Sequence, residues 1–376
     1  MTLGRILKLF LKWTSLLIVL ALFVGIIALF VAYWRSTNDC DRLTAAQGET
    51  MKAIVYCDYG PPDVLKLMDI AKPIPNDNQV LIKVHAASVN PYDWHFIRGT
   101  PFIMRMMGSG MRKPKSGRIG VDVAGTVEAV GKNITQFKPG DEVFGGKTGA
   151  FAEYVCGSER GLAIKPANVT FEQAATANVA GLTALQAVRD KAKIQPGQKI
   201  LINGASGGVG TYAVQIAKAF GAEVTGVCSG RNADMIRSLG ADHVIDYTKE
   251  DFAKGDQRYD AMLDNVPNHP LSECRHILNP GGKYIMIGGG GPNDGRWIGP
   301  FGRVIHASLL SRFVDEKMGM MMAELNKDDL TTLGDLIQSG KVKPVIDRRY
   351  KLSEVPAAIA YLEEGHARGK VIINVD

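Results

Sequence analysis

The stretch that most constrains this chain is ILINGASGGVG, residues 200–210. An apolar, β-branched run breaks into a loop with three glycines among its last four residues. TYAVQIAKAFG then follows with helical character and Gly221 just past its end. Strand, glycine loop and helix in that order are the context of a dinucleotide-binding fingerprint. Ala205 takes the first glycine position of GxGxxG. Gly207 lets the backbone approach a pyrophosphate, and Gly210 lets the helix pack on the strand. The helix amino terminus adds free N–H groups and a partial positive charge, which suit a phosphate.

The next strand bears on which dinucleotide. An NAD-binding chain usually places Asp or Glu at its end, roughly 20 residues on, to hold the ribose 2′-hydroxyl. Here the segment reads VTGVCSGRN, residues 224–232, with Cys228 and Ser229 where the acid belongs and Arg231 close by; Glu223 stands at the wrong end. A carboxylate repels a 2′-phosphate, whereas a hydroxyl and a guanidinium bind one. The expected cofactor is NADP(H).

Residues 51–165 read as short β runs (MKAIVY, QVLIKVHAASVN, GVDVAGTVEAVG, DEVFG) separated by Gly, Pro and Asn turns. From Phe171 strands and helices alternate, which argues for a parallel sheet covered on both faces. The chain ends in a helix, SEVPAAIAYLEEG, and a strand, KVIINV. With 376 residues there is room for two domains, and 46% hydrophobic against 22% charged residues indicates a large core. The net charge of +6 is spread along the chain rather than clustered, so nucleic acid is not an expected partner.

Several separated motifs carry a resemblance: GLTALQAV, INGASGGVGTYAVQIAKAFGAEVTGVCS, LGADHVIDY and GHARGKVIINV, following an irregular β region. Together they resemble the medium-chain dehydrogenase/reductase superfamily over residues 51–376. Within it they are most similar to the zinc-independent quinone oxidoreductases, including the mitochondrial reticulon-interacting oxidoreductases. The resemblance implies an α/β chain: a GroES-like catalytic domain over 51–172, a Rossmann NADP-binding domain over 173–310, and a segment over 311–376 that returns to the catalytic domain. It also implies that Ser206, Gly208, Val209, Ser229 and Tyr247 contact NADPH.

Zinc enzymes of that superfamily carry a Cys after V-N-P, a His-Glu pair near GVDVAG and a lobe of four cysteines. This chain has VNPYDWH, GRIGVDVAG and no such lobe. A catalytic zinc needs three protein ligands and an open position; His85, His95 and Cys156 do not fill that spacing, so no metal is expected. Without a Lewis acid, alcohol oxidation lacks its usual driving group. A quinone or enone spreads the arriving charge over its own π-system. The protein then has to orient the reactants and donate a hydrogen bond to the oxyanion. The candidates are Asn90 and Tyr92 in VNPYD, with Thr183 in GLTAL a further one; Asp93 reads as a loop-fixing residue. The rival readings are an NAD(P)-dependent alcohol dehydrogenase using a protein acid, and a non-catalytic NADPH-binding protein at a membrane.

Residues 16–34, LLIVLALFVGIIALFVAYW, are 19 residues without a charge, flanked by Trp13, Tyr33 and Trp34. At about 1.5 Å per residue they reach across most of a hydrocarbon core of about 30 Å. Residues 1–50 are therefore expected to be a single-pass transmembrane anchor and tether. Flanking charge leans weakly toward a body outside, and the need for NADPH toward a cytoplasmic body, which is preferred. The stretch PFIMRMMGSGMRKPKSGR, residues 101–118, interleaves four methionines with five cations and reads as a lid over a lipophilic acceptor or as a lipid contact. The five cysteines show no CxxC spacing and read as free, mostly buried thiols. The expected partners are a small lipophilic quinone or enone, the membrane and a second copy of the chain as a homodimer.

Overall fold

The computed structural model describes residues 48–291 and 297–375, with scattered positions between Trp13 and Leu43. Fifteen strands are defined among the described residues: β1 (Thr50–Val55), β2 (Lys66–Ala71), β3 (Val80–Val89), β4 (Asp122–Val130), β5 (Glu142–Gly146), β6 (Tyr154–Gly157), β7 (Leu162–Ile164), β8 (Lys199–Asn203), β9 (Glu223–Cys228), β10 (His243–Asp246), β11 (Tyr259–Asp264), β12 (Leu278–Met286), β13 (Lys317–Met320), β14 (Ile346–Lys351) and β15 (Lys370–Asn374).

Strands β8 to β13 form one parallel sheet in the order β10-β9-β8-β11-β12-β13. Ile200, Leu201 and Ile202 are all fully buried, because helices cover both faces and no position on the strand faces water. The order runs outward from β8 in both directions. The crevice that results at the carboxyl ends of β8 and β11 is where such sheets bind a dinucleotide. The sixth strand, β13, lies beyond residue 310, so the parallel sheet extends past the boundary expected from the sequence. The reason is that the helix Phe301–Leu310 is a crossover back to the sheet, not its end.

The other large sheet runs β14-β15-β3-β4-β5-β7, with β6 also on β3. Its core joins Ile82, Val84 and Val89 to Val123, Val127, Val371 and Ile373. Strand β15 pairs antiparallel with β3, Val371 opposite Val89, so the carboxyl end of the chain completes the sheet begun near residue 80. Just before β15, Gly369 N–H donates to Ser206 O at 2.9 Å, and Gly369 bridges Gly207. The glycine loop of one domain is thereby seated on the last strand of the other.

Two expectations change at the amino end. Cys40 is disulfide-bonded to Cys57, with Cα atoms 5.8 Å apart; Cys156, Cys228 and Cys274 are the buried free thiols. A spacing of 17 residues gives no hint of the pair, because only folding of the tether onto the end of β1 brings Cys40 there. There Cys40 packs with Met51, Val55 and Ile70. Among the described residues no helix is long and apolar enough to cross a membrane. The transmembrane helix expected over 16–34 is not found, and much of that range lies outside the described residues. Its described positions, such as Leu17, Leu20, Phe23, Ile27 and Phe30, are helical and exposed.

Candidate active site

The glycine loop opens the helix α1, spanning Gly208–Ala219, with Gly207 as its amino-terminal cap. A methyl group on Gly210 would stand 2.2 Å from Gly204 O and 2.6 Å from Ala205 O, so only glycine lets the helix lie this close to the strand end. On Gly207 the nearest atom to such a group is 3.6 Å away, which leaves that backbone open to a ligand. Ala205 is fully buried and held by Val227 O. Ser206, Gly208 and Val209 are half-buried around it.

Ser229, Arg231 and Tyr247 gather at the carboxyl ends of β9 and β10. Tyr247 N–H donates to Cys228 O at 3.1 Å, and the ring is exposed, as is Arg231. Ser229 Oγ accepts from Asn232 Nδ2 at 3.3 Å. One acid that sequence reasoning passed over, Asp246, sits beside them. Its carboxylate takes Gly230 N, Thr248 N and Thr248 Oγ1, and these bonds, the Thr248 hydroxyl first, hold its pKa below the usual range. All three bonds fall on Oδ1 and fasten two strand ends together, while Oδ2 has Lys249 Nζ at 3.6 Å. At the crevice, Asn265 donates Nδ2 to Asn203 O, while its Oδ1 is buried without a partner. A Cβ on Gly288 would strike Asn265 O, so the two strand-end loops touch backbone to backbone. An unsatisfied amide oxygen between β8 and β11, an open Gly207 and a helix amino terminus together fit a dinucleotide.

The catalytic-domain side is built on the segment Pro91–Arg98, a helix whose start is fixed by Asp93. That carboxylate accepts from Asn90 N at 2.8 Å and from Gly120 N at 3.2 Å. It is fully buried, and desolvation pushes its pKa up to about 7 despite both bonds. Asn90 is 2% exposed and its amide is saturated. Oδ1 accepts from Lys370 Nζ at 2.5 Å, and Nδ2 donates to Asp122 Oδ2 at 2.9 Å and Ser88 O at 3.2 Å. Asn90 has no hydrogen left for a substrate oxyanion, so the structure makes it a positioning residue. Thr183 is similarly committed: its hydroxyl donates to Val179 O at 2.6 Å.

Lys370 and Asp122, which sequence reasoning missed, form the centre of this arrangement. Their side chains are 4% and 0% exposed, with Nζ and Oδ2 at 3.1 Å. Lys370 Nζ also donates to Val89 O at 3.1 Å. Asp122 Oδ1 accepts from Asn178 Nδ2 and Val179 N, groups presented by the π-helical turn Ala177–Gly181. The lysine stem lies under the cofactor loop, where a Cβ on Gly208 would meet it at 3.0 Å. One buried ion pair thus joins β3, β4, β15, the π turn and the glycine loop. Lys370 sits in the GHARGKVIINV motif, and that was its only signal in the sequence.

Tyr92 lines a cavity. It has about 260 Å³ and is walled by Tyr56, Phe96, Ile119, Arg118 and Thr148 together with the 101–118 segment. The Tyr92 ring, which shares the cavity wall with Thr148, stacks on Phe96 at 4.1 Å. Burial pushes its pKa up, so it stays a protonated donor. The segment 101–118 forms one wall. It is pinned by Tyr59 Oη, which donates to Ser109 O and Gly110 O, and by Ile103 N–H, which donates to Trp297 O. Met106 and Met107 are exposed on its outer side. A polar cleft of about 300 Å³ over Gln186, Arg189 and Asp329 is a poorer site, since Arg189 is already paired with Asp190 and Asp329.

His85 bonds Thr126 and stacks near Phe171, His95 bonds Thr100 O, and Cys156 is buried in β6. Among the described residues no group of three or more His, Cys, Asp or Glu side chains is placed to hold a metal.

A six-stranded parallel sheet of this order, seated on an irregular β domain that the chain's last strand completes, defines a two-domain nicotinamide-dependent oxidoreductase fold. Residues 76–167 match the alcohol dehydrogenase GroES-like domain, and residues 239–373 match the family described as zinc-binding dehydrogenase. The chain is 35% identical over 374 residues to the mitochondrial NAD(P)H oxidoreductase RTN4IP1 of Mus musculus, covering 88% of this chain and 91% of that one. It is 36% identical to the trans-enoyl reductase pgmF of Aspergillus terreus, covering 87% and 97%. The structure of the quinone oxidoreductase from Coxiella burnetii superposes with a TM-score of 0.77 at 33% identity, covering 87% of this chain and all of that one. The chain belongs to the medium-chain dehydrogenase/reductase superfamily and is an NAD(P)H-dependent oxidoreductase of its quinone and enoyl reductase type.

Proposed function

We propose that the protein is a zinc-independent, membrane-anchored enzyme that prefers NADPH and reduces a quinone or an α,β-unsaturated carbonyl. The observation that carries this reading is the 260 Å³ cavity beside Tyr92, with hydroxyl and cationic donors in its wall. Bound NADPH supplies the hydride. The chain's own residues do the rest. Gly207, Gly208 and the start of α1, with Ala205, Ser206, Val209 and Gly210 shaping the turn, would hold the pyrophosphate. Ser229 and Arg231 would take the 2′-phosphate, with the Tyr247 ring alongside. Tyr92 donates a hydrogen bond, then its proton, to the acceptor oxygen as charge arrives there. Asn90, clamped by Lys370 and Asp122, fixes the backbone from which Tyr92 projects, and the 101–118 wall keeps water out.

Anchoring by residues 16–34 remains part of the proposal. It is supported by the uncharged run and by apolar side chains that face outward at its described helical positions. The Arg112 guanidinium lies 5.9 Å over the Trp34 ring, which puts the end of that run beside the Met-rich wall of the cavity. The need for NADPH favours a body in the cytoplasm, against the Cys40–Cys57 bond, which favours an oxidising side. The test is oxidation of NADPH with and without 1,4-naphthoquinone, measured by absorbance on the detergent-solubilised full chain. Turnover that requires the quinone and persists with NADPH far better than with NADH supports the proposal. NADPH binding without turnover of any quinone or enone returns the non-catalytic reading, and turnover of alcohols alone returns the dehydrogenase reading.

A further inference from the structure

We propose that Arg118 forms an oxyanion-binding subsite in the acceptor cavity, and that the acceptor is a compact conjugated carbonyl compound bearing an ionised acid group. This rests on the quinone or enone reading above and narrows it. Arg118 stands in the loop before β4 and lines the same cavity as Tyr92. Its Nη2 donates to Gly149 O at 2.9 Å and Tyr154 O at 3.2 Å, which fixes the plane of the guanidinium. Its Nε is buried and has no partner, and no carboxylate pairs with the group among the described residues. The fit is close: a Cβ on Gly149, at φ +96°, would come within 2.9 Å of Nε.

A half-buried guanidinium without an anion, with its Nε shut off from water and unpaired, carries a desolvation cost, and burial pushes its pKa below its ordinary value. Such an arrangement is offset when a ligand brings the missing charge. The rest of the wall agrees. Lys115 is a second cation, exposed at the rim, and the remaining polar groups include the hydroxyls of Tyr56, Tyr92, Ser109, Ser116 and Thr148. None of the lining residues is acidic. A neutral acceptor leaves Arg118 uncompensated; an anionic one meets Arg118 inside and Lys115 at the mouth. The volume is slightly below the usual range for ligand pockets, which suits one or two fused rings rather than a large conjugate.

The test compares two probes with the same ring system, 1,4-naphthoquinone and 1,4-naphthoquinone-2-sulfonate. Binding is read from quenching of tryptophan fluorescence in the NADP⁺-loaded full chain, and turnover from NADPH oxidation. The native protein is expected to bind the sulfonate more tightly than the parent quinone. A charge-assisted contact of this kind corresponds to about ten- to hundredfold. Arg118→Gln is expected to lose that preference by about tenfold or more, with the loss in KM rather than kcat, and Arg118→Lys to recover part of it. Equal losses for both probes in Arg118→Gln, or no preference for the sulfonate in the native protein, overturn the proposal. The second comparison needs no variant, so it stands even if Arg118→Gln does not fold. If neither quinone is turned over, the reaction proposed above fails, while the binding comparison still decides the subsite.

Discussion

Replacing Lys370 by Met tests whether one buried ion pair holds the two domains in register. The two side chains are long and of similar volume, so the change removes charge and three hydrogen bonds with little change of shape. Asp122 is left fully buried but keeps four donors: Ser88 Oγ at 2.5 Å, Asn90 Nδ2 at 2.9 Å, Asn178 Nδ2 at 2.9 Å and Val179 N at 3.0 Å. Breaking a buried pair typically costs about 3–5 kcal/mol. The four remaining donors put the Asp122 contribution near the lower end. Loss of a partner at Asn90 Oδ1 adds about 1 kcal/mol. The expected loss is therefore about 4 kcal/mol, read from the first transition of urea unfolding because a two-domain chain need not unfold in one step. The double variant Asp122→Asn with Lys370→Met removes both charges and is expected to regain about 2 kcal/mol over the single one. A single variant within about 1 kcal/mol of the native protein, or a double variant no more stable than the single, would refute the reasoning. Because the lysine stem lies against Gly208, the single variant should also bind NADPH more weakly.

Tyr92→Phe is expected to lower kcat by about ten- to a hundredfold with little effect on the Kd for NADPH, measured by stopped-flow hydride transfer and cofactor fluorescence. Arg231→Ala should weaken NADPH by about tenfold or more and leave NADH nearly unchanged, since only the 2′-phosphate is at issue; an unchanged ratio counts against the assignment. Asp93, raised to about 7 in the folded chain, binds a proton there that the unfolded chain has already lost above about 4. Its contribution to stability is therefore fully present below about 4 and lost as pH rises through about 7. Chemical unfolding at pH 5 and pH 8 should show this loss, and Asp93→Asn should flatten it. Exhaustive chelation should leave NADPH oxidation intact, with no stoichiometric zinc by elemental analysis.

The cofactor side was legible because it is written in consecutive residues. Residues 200–210 specify strand, turn and helix locally, and the contacts at Gly207 and Gly210 follow from that turn. The catalytic side was not, because its groups meet only through tertiary structure. Asn90 and Thr183 looked like donors in isolation. Lys370, some 280 positions from Asn90, and Val179 O decide otherwise by using up their hydrogen-bonding capacity. Arg118 had no mark in the sequence beyond being one of five cations in a mixed segment. Its significance lies in the absence of an acid nearby, and absence of a neighbour is a property of the fold. Strand β13 is only four residues long and is separated by six residues from the helix that ends at Leu310, so nothing in the sequence pattern marked it as part of the parallel sheet.

The bond between Cys40 and Cys57 ties the tether to the end of the first strand, and it sets a condition on where the enzyme can work. Disulfides persist where surroundings are oxidising, whereas the pools that regenerate NADPH are in compartments that keep thiols reduced. The staple and the fuel therefore make opposite demands. A body facing the nucleotide pool carries two thiols at these positions and a tether released from the strand. A body on the opposite face keeps the bond and is separated from fresh reductant. Labelling of Cys40 and Cys57 by a thiol reagent that cannot cross membranes, with and without prior reduction, consequently reads out the sidedness of the protein from its own chemistry.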